Sequence, residues 1–158
     1  MSTITARGSA AAAALAAACG LLSWLAAPSV GSPAFAARSL SVKDEGYLRL
    51  VKSSGSLLID EGQAHGTIPG TVRIHFVYDG NPSVSAQITI EGRAGSLQAH
   101  ASGRLSNPSS ASPSFAGTLT ISGGSGGYAH ASGSGHLYGV FYRRSYAMKV
   151  QTEGTLRY

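Results

Sequence analysis

The chain has 158 residues, with 43% apolar and only 12% charged positions, and one cysteine. Twelve Lys and Arg stand against seven Asp and Glu, a formal charge of +5. The basic residues are scattered singly apart from Arg143-Arg144. That spread excludes the basic stripe by which nucleic-acid binders follow a backbone. It leaves a mildly basic surface that keeps a chain soluble and attracts anionic cell-envelope polymers weakly.

Residues 1–36 read as a secretory signal peptide. Arg7 and the amino terminus form a positive end, Ser9 to Ala27 is an almost unbroken apolar run, and Ala34-Phe35-Ala36 has the small-x-small form of a cleavage site. The alternative is a retained anchor, since the run approaches spanning length. Cys19 lies inside that run rather than at its end, with Ala16 where a lipoprotein signal places leucine. Cleavage after Ala36 leaves a secreted chain, residues 37–158, with no cysteine and a net charge of +4 once Arg7 is removed. Disulfides, thiolate metal sites and cysteine nucleophiles are thereby excluded from it.

Residues 37–158 form a single domain, long enough to bury about two-thirds of its unfolded surface. Their pattern is almost purely period-two. Short strands are expected at Tyr47 to Lys52 and Ser56 to Glu61. In Thr71 to Asp79, Val72, Ile74, Phe76 and Tyr78 share one face, opposite Arg73 and His75. In Val84 to Glu91, apolar residues at even positions oppose Ser85, Gln87, Thr89 and Glu91. Phe115 to Ile121 alternates in the same way, and the last segment sets Tyr146, Met148, Val150 and Leu156 against Lys149, Gln151, Glu153 and Arg157. Such alternation marks half-buried antiparallel strands.

Punctuation agrees with this pattern. Asp79-Gly80-Asn81-Pro82 signals a hairpin, and Pro69-Gly70 and Arg143-Arg144 stand where further reversals are needed. Asn107 to Pro113 is a low-complexity loop expected to be exposed and mobile. A weak repeat links Gln63-Ala64-His65-Gly66, Gln98 to Gly103 and Tyr128 to Gly133. Small residues such as Ala99, Ala101 and Gly103 let a wall of strands pack closely or curve. About eight strands and no amphipathic helix predict an all-β fold, a small antiparallel barrel, because closure removes exposed edges.

The most specific stretch is the glycine-rich run after Leu119. Gly123, Gly124, Gly126, Tyr128, Ala131 and Gly133 resemble the GGTG-x-[YF]-x-x-A-x-G segment of the allene oxide cyclase and dirigent superfamily, shared by a set of secreted bacterial proteins. The resemblance covers about 20 residues closely. It implies an eight-stranded antiparallel barrel whose interior holds a small apolar molecule. In the plant members that cavity guides cyclisation or coupling of a reactive intermediate. Their catalytic carboxylates have no identifiable counterpart in this sequence.

Chemistry is sparse. Five histidines, His65, His75, His100, His130 and His136, lack the close spacing of metal motifs, and most share a face with polar residues, so neither a metal nor a cofactor is expected. No Gly-x-Ser-x-Gly elbow precedes a helix. Gly123 to Gly127 lacks the lysine and helix of a phosphate loop. Acid–base work would draw on Asp60, Glu61, Asp79, Glu91 or Glu153, none of which form an evident pair. Tyr128, Tyr138, Phe141, Tyr142 and Tyr146 cluster in sequence beside Arg143 and Arg144. Of these, Tyr128, Tyr138, Tyr142 and Arg143 are candidates to orient a ligand at a barrel mouth. Ordinary cross-strand aromatic packing around a basic turn is the competing account. Three functions follow: a secreted binding module for a small apolar ligand, a cyclase or isomerase using the same cavity, and an outer-membrane barrel ending in aromatic Tyr158.

Overall fold

The computed structural model describes residues 38–78 and 81–158. The signal-peptide expectation, and Asp79-Gly80 of the hairpin signal, lie outside the described residues.

Alternation of apolar and polar side chains becomes here a wall with an inside and an outside. Eight antiparallel strands follow in chain order: β1 (Ser39–Ser54), β2 (Leu57–Gly66), β3 (Gly70–Val77), β4 (Ser83–Gly92), β5 (Gly95–Ser106), β6 (Ser114–Gly124), β7 (Ser132–Tyr142) and β8 (Ala147–Arg157). Each pairs with the next, and β8 returns to β1, so the sheet is a closed barrel without a free edge. The two strands expected near residues 47–61 are longer than their alternation indicated. β1 begins at Ser39 because its ladder with β8 runs from Ser39↔Arg157 to Arg49↔Ala147.

Inward positions carry the core: Val42, Leu48, Val72, Ile74, Leu97, Ile121, Leu137, Met148, Val150 and Leu156 are buried. The glycines and alanines at inward positions set the wall's curvature. Gly103 faces Gly117 across β5–β6, and Gly135 faces Gly154 across β7–β8. At Gly139 a Cβ would overlap the Phe115 ring, so the missing side chain leaves room for that ring against the inner wall.

Two bulges break the period. Leu50 pairs with Asp60 but Lys52 pairs with Ile59, leaving Val51 unpaired and 56% exposed. Past that bulge the inward phase of β1 passes from even positions to odd ones, so Ser53, though exposed, turns toward the cavity mouth. The second bulge sits at Ser122, between the pairs Ala99↔Ile121 and Gln98↔Gly123. There Gly123, at φ 153°, and Gly126, at φ 60°, take backbone angles that suit glycine and lead into a single 3₁₀ turn, Gly126–Tyr128. The glycine-rich run thus serves as a bulge and a turn.

The barrel has two unlike ends. One holds the β2–β3, β4–β5 and β6–β7 connections with the start of β1 and the end of β8. It is closed: Ile68, Ala131 and Leu156 are buried, and Tyr128 packs edge-on against Tyr158 at 5.4 Å between ring centres. Asp44 fastens this end by accepting the Ile68 N–H at 2.8 Å. Burial raises the Asp44 pKa, while the backbone N–H groups of Ile68 and Thr67 act in the opposite direction. The other end, with the β1–β2, β3–β4, β5–β6 and β7–β8 connections, leads into a cavity.

The closing seam is fastened on its outer face by register partners. Glu45 faces Gln151 and Tyr47 faces Lys149. Glu45 accepts the Tyr47 hydroxyl, the Gln151 amide at 2.8 Å and the Lys149 ammonium at 3.0 Å, and Lys149 lies 5.2 Å from the Tyr47 ring centre. The Tyr47 hydroxyl, then Gln151 and then Lys149, lower the Glu45 pKa from 4.5 to about 2. The folded chain therefore binds this proton more weakly than the unfolded chain. The resulting stability is complete above pH 4.5 and is lost as pH falls through about 2. Glu45→Gln is expected to flatten that acid limb, so the gap between wild-type and variant melting temperatures, followed by circular dichroism, narrows as pH is lowered from 4.5 to 2.

Candidate functional site

A cavity of about 290 Å³ fills the open half of the barrel. Its walls come from all eight strands and are almost entirely aliphatic or aromatic: Leu50, Leu58, Ile74, Phe76, Val84, Ile88, Leu105, Phe115, Leu137, Phe141, Met148 and Val150 among them. Ala86, Ala101 and Gly103 make the space, since their short side chains leave the centre unfilled where Leu or Phe would occupy it. Polar groups gather at the mouth, where Ser53, Tyr78, Arg143 and Tyr146 line the opening.

One polar side chain lies deeper. Asp60 is an inward residue of β2, one pleat below the lining residue Leu58, and 0% of its surface is exposed. Its ladder partners are Leu50 on β1 and Ile74 on β3, both lining the cavity. Neither carboxyl oxygen of Asp60 has a hydrogen-bond partner among the described residues. Asp44, the other buried acid, has one. Burial pushes the Asp60 carboxyl from 3.8 up to about 6. Desolvation of the charged form is the whole cause, with no ion pair to offset it. The β1 bulge at Val51 lies beside this position, and bulges concentrate where a strand must re-aim side chains next to a site.

The other acids stand elsewhere. Glu61 is on the outer face, paired with Arg73 at 2.6 Å. Glu91 and Glu153 are exposed outward residues of β4 and β8. Asp79 lies outside the described residues. All five histidines are exposed, and among the described residues no three His, Cys, Asp or Glu side chains come together as a metal would require.

The four candidate ligand residues do not form one constellation. Arg143 lines the mouth, as do Phe141 and Tyr146 of the same aromatic set. Tyr138 and Tyr142 point outward from β7, at 43% and 42% exposed, because the inward phase of that strand belongs to Leu137, Gly139 and Phe141. Tyr128 lies at the closed end against Tyr158. Closeness in sequence put these side chains on opposite faces and at opposite ends, since alternate strand residues diverge and the β6–β7 connection belongs to the other end.

Arg143 itself is committed to a loop. Its Nε donates to the Ser110 carbonyl at 3.1 Å and its Nη2 to the Pro108 carbonyl at 2.6 Å. Its backbone N–H reaches the Ala111 carbonyl, and the Phe141 N–H the Pro113 carbonyl. The 107–113 segment, read from sequence as exposed and mobile, is exposed at every residue but Pro113, which is buried as part of the cavity wall, and these bonds hold it to the start of the β7–β8 turn. A low-complexity composition describes the segment's own residues and cannot anticipate a distant guanidinium. The clue that sequence offered for Asp60 was its place at an inward position of an alternating strand, beside Leu58; without the register of β2, that face was undetermined.

Comparison with protein-family models, with curated proteins and with solved structures finds no match.

Two outcomes follow from this geometry. Because the folded chain holds the Asp60 proton more tightly than the unfolded chain, the contribution of Asp60 to wild-type stability is full below pH 3.8 and is lost as pH rises through about 6. Asp60→Leu is expected to remove that decline and to raise stability at pH 7.5, by roughly 3 kcal/mol at most, read from urea unfolding at a series of pH values. Arg143→Ala is expected to speed amide exchange in residues 107–113 while leaving the β1–β8 seam protected, read by hydrogen–deuterium exchange.

Proposed function

We propose that the protein is a binding module that takes a small, mainly apolar molecule into the open half of its barrel. The observation carrying this reading is the cavity itself: about 290 Å³, reached from one end only and walled by hydrocarbon side chains. That volume lies at the lower end of ligand pockets, which run from roughly 300 to 1,000 Å³, with apolar walls and few polar groups. A barrel built only for stability would fill this space, because an unfilled interior forfeits packing energy.

The likeness of Gly123 to Gly133 to the allene oxide cyclase and dirigent segment supports the same reading by analogy. A shared architecture carries no activity of its own, and the binding reading rests on the cavity. The polar outer wall weighs against an outer-membrane barrel. Outward positions carry residues such as Arg73, His75, Gln98, His100, Thr118 and Gln151, the reverse of a lipid-facing apolar band around a polar lumen. The exported leader read from residues 1–36 would place this module outside the cell, where contact with anionic envelope surfaces through its basic charge is weak.

The test is binding of the polarity-sensitive dye N-phenyl-1-naphthylamine to residues 37–158. Saturable fluorescence enhancement is expected for the wild type. Ala86→Phe, which places a ring inside the cavity, is expected to weaken it at least tenfold with the far-ultraviolet spectrum unchanged. Equal dye binding by both proteins would overturn the reading.

A further inference from the structure

The cavity reading leaves one group without an account. Asp60 is fully buried, and neither of its oxygens has a hydrogen-bond partner among the described residues. Buried polar groups are almost always hydrogen-bonded, and one without a protein partner marks a strained or functional position or a place where a small molecule binds. The residue stands level with Leu50 and Ile74 and one pleat from Leu58, three residues that line the cavity, and it adjoins that lining without being part of it.

We propose that Asp60, in its protonated form, is the polar anchor of the cavity, donating its O–H to a carbonyl or similar neutral acceptor at the leading end of an otherwise apolar ligand. This rests on the cavity-binding reading above and adds the ligand's chemical class and its orientation: polar end inward, hydrocarbon body against Phe76, Phe115 and Phe141, tail toward the mouth. A protonated carboxyl offers one donor and one carbonyl acceptor on two oxygens of the same carbon. A ketone, aldehyde or ester oxygen takes the first. A hydroxyl or amide engages both.

Charge decides against the ionic alternatives. An anionic ligand would meet Asp60 once that group ionised, with no cation in the depth of the cavity to offset it. A cationic amine would have to pass a mouth that carries Arg143 and enter a domain of net charge +4. A neutral acceptor has neither difficulty.

The surroundings of Asp60 make its protonation state responsive to pH. β1 presents Leu50 beside it and β3 presents Ile74. Further into the cavity stand Ile88 of β4, Leu137 of β7, and Met148 and Val150 of β8. The titratable and charged interior groups are elsewhere. Asp44, Tyr128 and Tyr158 are at the closed end, and Tyr78, Arg143 and Tyr146 are at the mouth. Burial alone holds the Asp60 midpoint near 6, so the anchor is a donor in mildly acidic medium and a bare carboxylate above neutrality. Ligand uptake is therefore favoured in acid and release in base.

The test uses two probes of nearly equal shape, 2-acetylnaphthalene and 2-isopropylnaphthalene, which differ in one carbonyl oxygen. Both are titrated against the dye-loaded wild-type domain from pH 5 to pH 8, then against Asp60→Asn, which keeps an N–H donor, and Asp60→Leu, which has none. The expected result is a ketone affinity that falls about tenfold per pH unit above the Asp60 midpoint, with a much shallower change for the hydrocarbon. Asp60→Asn should keep the ketone preference without its pH dependence, and Asp60→Leu should lose both. If both probes displace dye with the same pH profile in all three proteins, the anchor is refuted while the binding cavity stands. If neither probe nor dye binds the folded wild type, the cavity reading fails and the anchor fails with it.

Discussion

Everything in this barrel depends on the ladder between the first and last strands. Until β8 pairs with β1, the sheet has two open edges with unpaired amide and carbonyl groups, and its apolar face is open to water. Once Ser39↔Arg157 to Arg49↔Ala147 are joined, every strand has two neighbours and the even or odd phase of each becomes an inside or an outside. Leu40 meets Leu156 and Leu48 meets Met148 on the inner face of that seam, while Glu45, Tyr47, Lys149 and Gln151 interlock on the outer one. The hydrophobic and polar halves of the pattern act at the same place. Burial drives closure, and the exposed pairs select this register over a slip that would turn each strand inside out.

Closure alone does not make a cavity. The interior is divided between a half packed to the end by Leu97, Ile121 and Leu156 and a half left open around Ala86, Ala101 and Gly103. The difference lies in side-chain volume, since the strands themselves are continuous. The buried acids follow the same division. At the packed end Asp44 is satisfied by the backbone of the 67–68 turn and serves the fold. Beside the open half Asp60 has no hydrogen-bond partner among the described residues, and burial of its charged form lowers stability at neutral pH. A buried group that weakens the fold next to a cavity is the pattern expected where function and stability compete.

The mouth shows how a loop of low complexity can still be shaped. Prolines and serines at 107–113 form no regular structure, yet Arg143 gathers two of their carbonyls and Pro113 is pressed into the wall. The arginine that sequence offered as a ligand contact holds the rim through which a ligand passes. Rigid strands supply the cavity, and a single side chain fixes part of its border.

Sequence by itself determined the class of fold. Period-two alternation in residues 71–79, 84–91, 115–121 and 146–157 follows from backbone geometry, so it needs no knowledge of neighbours to name strands. The number of such strands, with no helix to cover a sheet, pointed to closure. The bulges left unequal marks in the sequence: one is accompanied by glycines at 123 and 126, whereas Val51, at the other, is an ordinary apolar residue. What only the tertiary structure decided was which residues meet. Tyr128, Tyr138 and Tyr142 are neighbours in sequence and strangers in space, while Leu50, Asp60 and Ile74 come from three strands and stand side by side. Alternation tells a residue only that it opposes its neighbours. Which of two faces becomes the interior, and at which level of the barrel, is set by register, and register is a property of pairs of strands that no single strand contains.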